Sequence, residues 1–356
     1  MAPVSPLPQR HGLDAVRLRT PDDGPWATMR DHLVARLPRL PAARLDAMLR
    51  EGRIVGRGGA VGPHDPFRPR EFLWFHRDLP VEVPVPFAVD VLHRDDDVLV
   101  VDKPHFLATI PRGRHIVETA LVRLRRELDL PELSPAHRLD RVTAGVLLFV
   151  VRRERRGAYQ TLFRDRRVRK TYEAVAPFDP GLAFPRTVRS RIVKERGVIL
   201  AQEVPGPPNA QTHVELLERR DGLARYRLTP LTGRTHQLRL HLRGLGLPIL
   251  GDRFYGMASG GPSDPGPSDP GPSDLGPSDP GPSEPGPSEP GPEDTALDDW
   301  TRPLQLLAAA LELPDPTTGV LRRFTSRRTL QAWTDPAGWA AGPPKPAGRS
   351  AHAPNS

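Results

Sequence analysis

The sequence predicts a mixed α+β protein, and two patterns carry that prediction. The runs Val98-Leu99-Val100-Val101 and Gly145-Val146-Leu147-Leu148-Phe149-Val150-Val151 are apolar enough to be strands buried on both faces. Helical spacing appears at Val117, Leu121, Leu124 and Leu128, and again at Leu238, Leu242 and Leu245. From Pro86 onward the two patterns interleave, and 356 residues leave room for two or three domains.

Taken in order, residues 1–24 read as a flexible arm and 25–85 as a small α/β module. Within that module a helical pattern runs from Trp26 to about Leu49, broken by Pro38 and Pro41. Leu45, Met48 and Leu49 share one face, and Gly52 is placed as a helix stop. Arg53-Ile54-Val55 and Gly58-Gly59-Ala60-Val61 then give a strand–turn–strand signal. Through Ala43-Arg44-Leu45 and Met48-Leu49-Arg50-Glu51-Gly52-Arg53-Ile54, the segment resembles the S-four-type RNA-binding module. A plain helix–hairpin fits the same residues.

Residues 86–334 read as the larger domain. Strands are expected at Thr171–Ala176, Thr212–Leu217 and Ala224–Leu228. A Pro-Ser-Asp-Pro-Gly repeat interrupts this domain over 258–299. It has almost nothing apolar to bury and is expected to be disordered. Residues 335–356 read as a second disordered tail, rich in Pro, Ala and Gly.

The charge balance narrows the partner. The chain has 51 Lys+Arg against 43 Asp+Glu, a net charge of +8, with Arg far outnumbering Lys. Ten acidic and no basic residues fall between Gly260 and Trp300, so the remainder carries +18. An Arg-rich surface suits bidentate phosphate contact, which favours a nucleic acid over a membrane. A GC-rich genome would enrich Arg as well. The absence of cysteine excludes disulfides, thiolate metal sites and a cysteine nucleophile. No stretch approaches the ~20 apolar residues of a membrane span, and the N-terminus lacks an apolar signal core. The expectation is a soluble cytoplasmic protein, with a monomer as the default.

The densest chemical signal is His137-Arg138-Leu139-Asp140-Arg141. One carboxylate between two guanidinium groups on a rigid turn stays ionised and fixed in direction, as a nucleophile or general base requires. The same description fits a structural salt bridge. Further clusters are Val100-Val101-Asp102-Lys103-Pro104, Lys170-Thr171-Tyr172, and Thr232-Gly233-Arg234-Thr235-His236-Gln237-Leu238-Arg239-Leu240-His241, followed by Pro248 to Gly256. Gly233 is expected to allow a tight strand-to-helix turn, with Arg234 pointing back towards a carboxylate or phosphate.

His236 and His241, five residues apart, fall on different helix faces, and no carboxylate stands at ligand spacing beside them, so no metal site is expected. There is no Gly-x-Gly-x-x-Gly, Walker loop or nucleophile elbow, so no nucleotide cofactor and no Ser/His/Asp hydrolase is indicated.

Together and in this order, the clusters resemble the RluA-type pseudouridine synthase family from about Leu92 to Tyr255, with a weaker continuation near Leu306 to Gly319. His-Arg-Leu-Asp-Arg-x-Thr-x-Gly and Gly-Arg-Thr-His-Gln-Leu-Arg carry most of the likeness. The sequence departs from the family pattern at Ala144, at Lys103-Pro104-His105-Phe106 and at Leu307-Ala308-Ala309.

The resemblance implies a pseudouridine synthase fold, an extended mixed/antiparallel sheet with flanking helices and a central basic cleft. It also implies the isomerisation of specific uridines in ribosomal or transfer RNA. In that reaction the bond to nitrogen breaks, the uracil turns over, and carbon 5 joins the ribose. No atom enters or leaves, so no cofactor is called for. The resemblance further implies Asp140 as the essential carboxylate, Tyr172 against the flipped base, and Arg234 as the cation beside Asp140. Arg138 matches the arginine that fills the vacated space, while Lys170, Leu238 and Arg141 line the substrate site. Arg123, Arg125 and Arg126 are candidate phosphate contacts or simply a solvated helix face. The rivals are an inactive RNA-binding scaffold of the same fold and a metal-dependent nuclease using His236 and His241.

Overall fold

The structure is a computed structural model and describes residues 3–38, 40–195, 198, 200–256 and 298–341. The repeat at 260–293 and the tail beyond residue 341 lie outside the described residues. Cα proximity divides the chain into two units, Met1–Val85 with Ala108–Ser134, and Pro86–Leu107 with Pro135–Ser356.

In the first unit, strand β1 (Val16–Arg19) precedes helices α1 (Met29–Arg36) and α2 (Ala42–Arg50), then β2 (Ile54–Gly56), β3 (Gly59–Ala60) and β4 (Phe72–Phe75). The sheet order is β1-β4-β2-β3, antiparallel throughout. Thr28 and Asp31 form a capping box that starts α1, satisfying backbone N–H groups that the first turn leaves without partners. Leu45, Met48 and Leu49 face a core with Leu18, Met29, Leu33, Ile54 and Leu73, as their spacing predicts.

Two expectations change in this unit. The arm contains β1, whose buried Leu18 anchors it; one apolar alternation over four residues is too short to register as a strand signal. Helix α3 (Ala120–Glu127) forms where expected, capped by Thr119, but two of its three arginines are engaged within the unit while Arg126 is exposed. Arg123 bonds Glu118 and the Val85 carbonyl, and Arg125 bonds Asp14 and the Gly12 and Leu133 carbonyls.

The second unit is built on one large sheet. Its strands are β5 (Asp90–Arg94), β6 (Val98–Lys103), β8 (Ala144–Val150), β9 (Arg169–Pro177), β10 (Arg186–Val193), β11 (Gln202–Val204), β12 (Ala210–Arg220), β13 (Leu223–Pro230), β14 (Leu306–Pro314) and β15 (Leu321–Thr325). The two-residue strand β7 (Ser134–Pro135) precedes β8. Along the sheet the order is β11-β10-β12-β13-β9-β14-β8-β6-β5, with β15 beside β14. Only the β14–β8 pairing is parallel among the described strands of this path.

Every residue of β6 and β8 is buried, as their unbroken apolar runs predict. Helix α4 (Arg156–Arg164) packs Tyr159 and Leu162 on one side of these strands. Helix α5 (Gln237–Gly244) packs Leu238 and Leu242 against Val214, Tyr226 and Leu228 from β12 and β13. Helices α6 (Gln331–Thr334) and α7 (Pro336–Ala341) close the described chain. Helix α7 occupies residues expected to open the patternless tail.

Gly145 explains the end of the His-Arg-Leu-Asp-Arg-x-Thr-x-Gly motif. It has φ +114°, and a Cβ there would lie 2.3 Å from the Ala308 carbonyl oxygen on β14. A side chain is excluded because two backbones meet at that point. Among the described residues no helix is long and apolar enough to cross a membrane.

Candidate active site

The motif ahead of β8 folds into a turn held almost entirely through backbone groups. Thr143 N–H donates to the Asp140 carbonyl at 3.1 Å, and His137 Nε2 accepts from Leu148 N–H at 3.1 Å while its ring stacks on Phe163. From the end of β6, the buried Lys103 ammonium donates to the carbonyls of Pro104, Leu107 and Arg141 at 2.9, 2.7 and 3.1 Å. His105 Nδ1 donates to the Val142 carbonyl at 2.7 Å, since a carbonyl can only accept. Burial holds both histidines neutral, His105 at about 4 and His137 at about 3.

The turn is thus fixed from both sides, while the half-buried Asp140 carboxylate has no hydrogen bond or ion pair with any described residue. A rigid turn ending in an unengaged carboxylate is poised to act on something else.

The facing wall comes from β9 and from the turn between β13 and α5. Lys170 and Tyr172 project from β9. Burial, reinforced by the Asp140 charge, raises the Tyr172 phenol well above its ordinary value, so it stays protonated. Burial, and then Arg166, lowers Lys170, whose Nζ lies 3.5 Å from the Thr232 carbonyl.

The turn is organised by the buried Gln237. Its amide oxygen accepts from Thr232 Oγ1 at 2.7 Å and Arg234 N–H at 3.0 Å, and its nitrogen donates to the Gln211 carbonyl and Thr212 Oγ1. Two residues on, Arg239 makes a fully buried bidentate pair with Asp252 at 2.6 and 2.7 Å. Burial works against the Arg239 charge, but the Asp252 bonds more than offset it.

These walls enclose a cleft of about 630 Å³ lined by Arg138, Asp140, Lys170, Tyr172, Arg234 and Leu238, six of the seven residues expected from sequence. Arg141 is absent from the lining. Its guanidinium forms a bidentate pair with Asp298 at 2.6 and 2.9 Å and donates to the Phe106 carbonyl, so it braces the back of the turn.

Arg234 lines the cleft without pairing with Asp140. Its Nε lies 3.3 Å from the Asn209 carbonyl, a path opened by the course of the turn. The left-handed residue of that turn is His236, at φ 55°, rather than Gly233. The groups that feel the Asp140 charge include Lys103, Tyr172, His236 and Arg239.

His241 does not share the cleft with His236. Its ring nitrogens meet Thr212 Oγ1 at 2.8 Å and Ser190 Oγ at 3.0 Å, and burial brings it to about 4. Sequence reasoning missed Phe163, Arg164 and Arg166, which line the cleft from the end of α4. Their only sequence signal was proximity to Lys170. Arg239 sat inside the recognised motif, but its pairing with Asp252 depends on a loop closure that spacing does not reveal.

Comparison with known proteins identifies the family. The family model for RNA pseudouridylate synthase matches residues 97–243, which include both dense motifs and Tyr172. An uncharacterized RNA pseudouridine synthase of Synechocystis sp. is 34% identical over 211 residues, covering 58% of this chain and 72% of that protein. The dual-specificity RNA pseudouridine synthase RluA of Escherichia coli (strain K12) is 34% identical over 177 residues, covering 46% and 76%. Among solved structures, Human RNA Pseudouridylate Synthase Domain Containing 4 aligns with a TM-score of 0.46 and 24% identity, covering 67% of this chain and 88% of that one. Identity at this level, over 72% and 76% of the two bacterial relatives, shows that the chain belongs to the RNA pseudouridine synthase family, of the RluA type.

Proposed function

We propose that this RNA pseudouridine synthase acts on specific uridines of ribosomal or transfer RNA in the cytoplasm, through an aspartate-dependent mechanism that needs no cofactor. One observation carries the assignment of Asp140: its carboxylate stands without a partner among the described residues, on a turn braced by Lys103, His105 and His137, inside the cleft that holds Tyr172. Isomerisation adds and removes no atoms, so one fixed carboxylate, a stacking ring and phosphate-binding cations meet its chemical needs.

In this scheme the target nucleotide is extruded into the cleft. Arg138 occupies the space it leaves, the protonated Tyr172 lies against the uracil, and Leu238 packs at the base edge. Extrusion costs a few kcal/mol, and Lys170, Arg164, Arg166 and Arg234 offset that through phosphate contacts. Arg141 acts by holding the turn. The first unit contributes RNA affinity as an S-four-type module, and the working protein is a monomer.

The experiment supplies unmodified ribosomal and transfer RNA carrying tritium at carbon 5 of uridine to the wild type and to Asp140→Asn, in EDTA. Release by the wild type alone assigns Asp140 and identifies the RNA class. Equal release from both moves the role to another group. RNA binding without release by either protein would favour an inactive scaffold.

A further inference from the structure

Turnover leaves one proton unassigned. When carbon 5 of the turned uracil joins carbon 1′ of the ribose, carbon 5 carries both that bond and its hydrogen, and a double bond stands between carbon 6 and nitrogen 1. The product requires that the C5–H bond break, its electron pair restore the carbon 5–carbon 6 double bond, and nitrogen 1 gain a proton. A base facing the uracil must take the carbon 5 proton. We propose that this base is His236, acting through Nε2 and passing the proton to nitrogen 1 or to solvent.

The geometry fixes which nitrogen is available. His236 Nδ1 lies 2.8 Å from Tyr255 Oη, and the same oxygen lies 2.9 Å from both the Ala201 N–H and the Ala201 carbonyl. A phenol has one hydrogen to donate and two lone pairs to accept. The carbonyl cannot donate, so the phenolic hydrogen must point at it; otherwise two oxygens would face each other at 2.9 Å with nothing between them. The Ala201 N–H takes one lone pair, and the other receives a hydrogen from His236 Nδ1. The imidazole therefore carries its hydrogen on Nδ1 and presents the Nε2 lone pair.

Nε2 has no hydrogen-bond partner among the described residues, and the ring lines the cleft that holds Asp140 and Tyr172. Burial keeps the imidazole neutral, against a weaker opposing pull from Asp140. The backbone is committed to this placement, since φ 55° is a sparsely populated region for a residue with a Cβ.

Other groups in the cleft serve less well. Tyr172 holds its proton, His137 Nε2 already accepts the Leu148 N–H, and arginines do not deprotonate. Lys170 directs its ammonium at the Thr232 carbonyl. We assign Asp140 to the ribose side of the reaction, as its nucleophile or base, and the proposal rests on that assignment and on the function proposed above.

The test uses transcripts of ribosomal and transfer RNA made with uridine or with uridine deuterated at carbon 5. Single-turnover rates are compared for the wild type, His236→Asn and Tyr255→Phe. Asparagine tolerates the left-handed backbone. Loss of a general base lowers the rate on the order of 10²- to 10⁴-fold. The expected result is a loss in that range for His236→Asn, with RNA binding unchanged and a hydrogen-to-deuterium rate ratio above that of the wild type. Tyr255→Phe keeps the ring but removes its orienting oxygen, and should raise the ratio by less. Added imidazole should restore part of the rate to His236→Ala.

A wild-type rate in His236→Asn, or a slower rate with an unchanged isotope ratio, would overturn the proposal. If His236→Asn fails to fold, the isotope ratio of Tyr255→Phe decides in the same way. A wild type that isomerises none of the RNAs would instead overturn the functional assignment beneath it.

Discussion

Asp102 and Asp140 stand near the same end of the paired strands β6 and β8, yet they are treated in opposite ways. Asp102 is fully buried; its carboxylate accepts from Ser326 Oγ at 2.8 and 2.9 Å and from Arg327 N–H at 2.7 Å, with Arg328 Nε at 3.5 Å. Asp140 is half-buried and has no partner among the described residues. A buried charge must be surrounded by donors to exist at all, and once surrounded it has nothing left to offer a substrate. The protein uses one carboxylate to tie the segment after β15 to the end of β6 and keeps the other unengaged.

The largest expected effect separates the two. Asp140→Asn should lower tritium release on the order of 10³- to 10⁴-fold. Because no described contact is lost, its urea midpoint should correspond to a stability within about 0.5 kcal/mol of the wild type. A marked loss of stability would mean that Asp140 is structural after all. Asp102→Ala should do the reverse, costing about 1–3 kcal/mol for each of the two donors it strands, the Ser326 hydroxyl and the Arg327 N–H, while Arg328 keeps Asp90; activity at low temperature should follow the folded fraction.

Gly145→Ala pushes a methyl group into the Ala308 backbone and should cost about 1–3 kcal/mol in the same unfolding measurement. A neutral outcome would show that β14 can shift away from β8.

A more gradual effect is expected with pH. His105, His137 and His241 are held neutral in the fold, at about 4, 3 and 4. Their folded values lie below the unfolded value of about 6.5. The stability they contribute is therefore complete above pH 6.5 and is lost as pH falls towards 4. Urea midpoints taken across that window should decline, and His241→Gln should make the decline shallower.

Much of this was legible in the residues themselves. The unbroken apolar runs identified β6 and β8, and the two dense motifs with the Lys170-Thr171-Tyr172 cluster named six residues that meet in one cleft. Strands β10 and β15 were not read because they alternate exposed arginines with few apolar residues, and helix α4 buries only Tyr159 and Leu162. The partner of a charge was harder still to foresee. Arg234 lies in the right motif but turns to Asn209, while Arg141 lies beside Asp140 but turns to Asp298, more than a hundred residues away. Sequence spacing says which residues share a segment; the sheet order decides which way each guanidinium can reach.

That order has a consequence for how the protein is made. Strand β14 lies between β8 and β9, so it joins the half of the sheet that carries Asp140 to the half that carries Tyr172 and His236. It is also encoded after both halves. During synthesis each half can pair its own strands as it emerges, but the seam between them stays open until Leu306–Pro314 has been made. The two walls of the cleft are thus joined late, and a chain cut short after Tyr255 would hold most of the site's residues with no strand to bring them together.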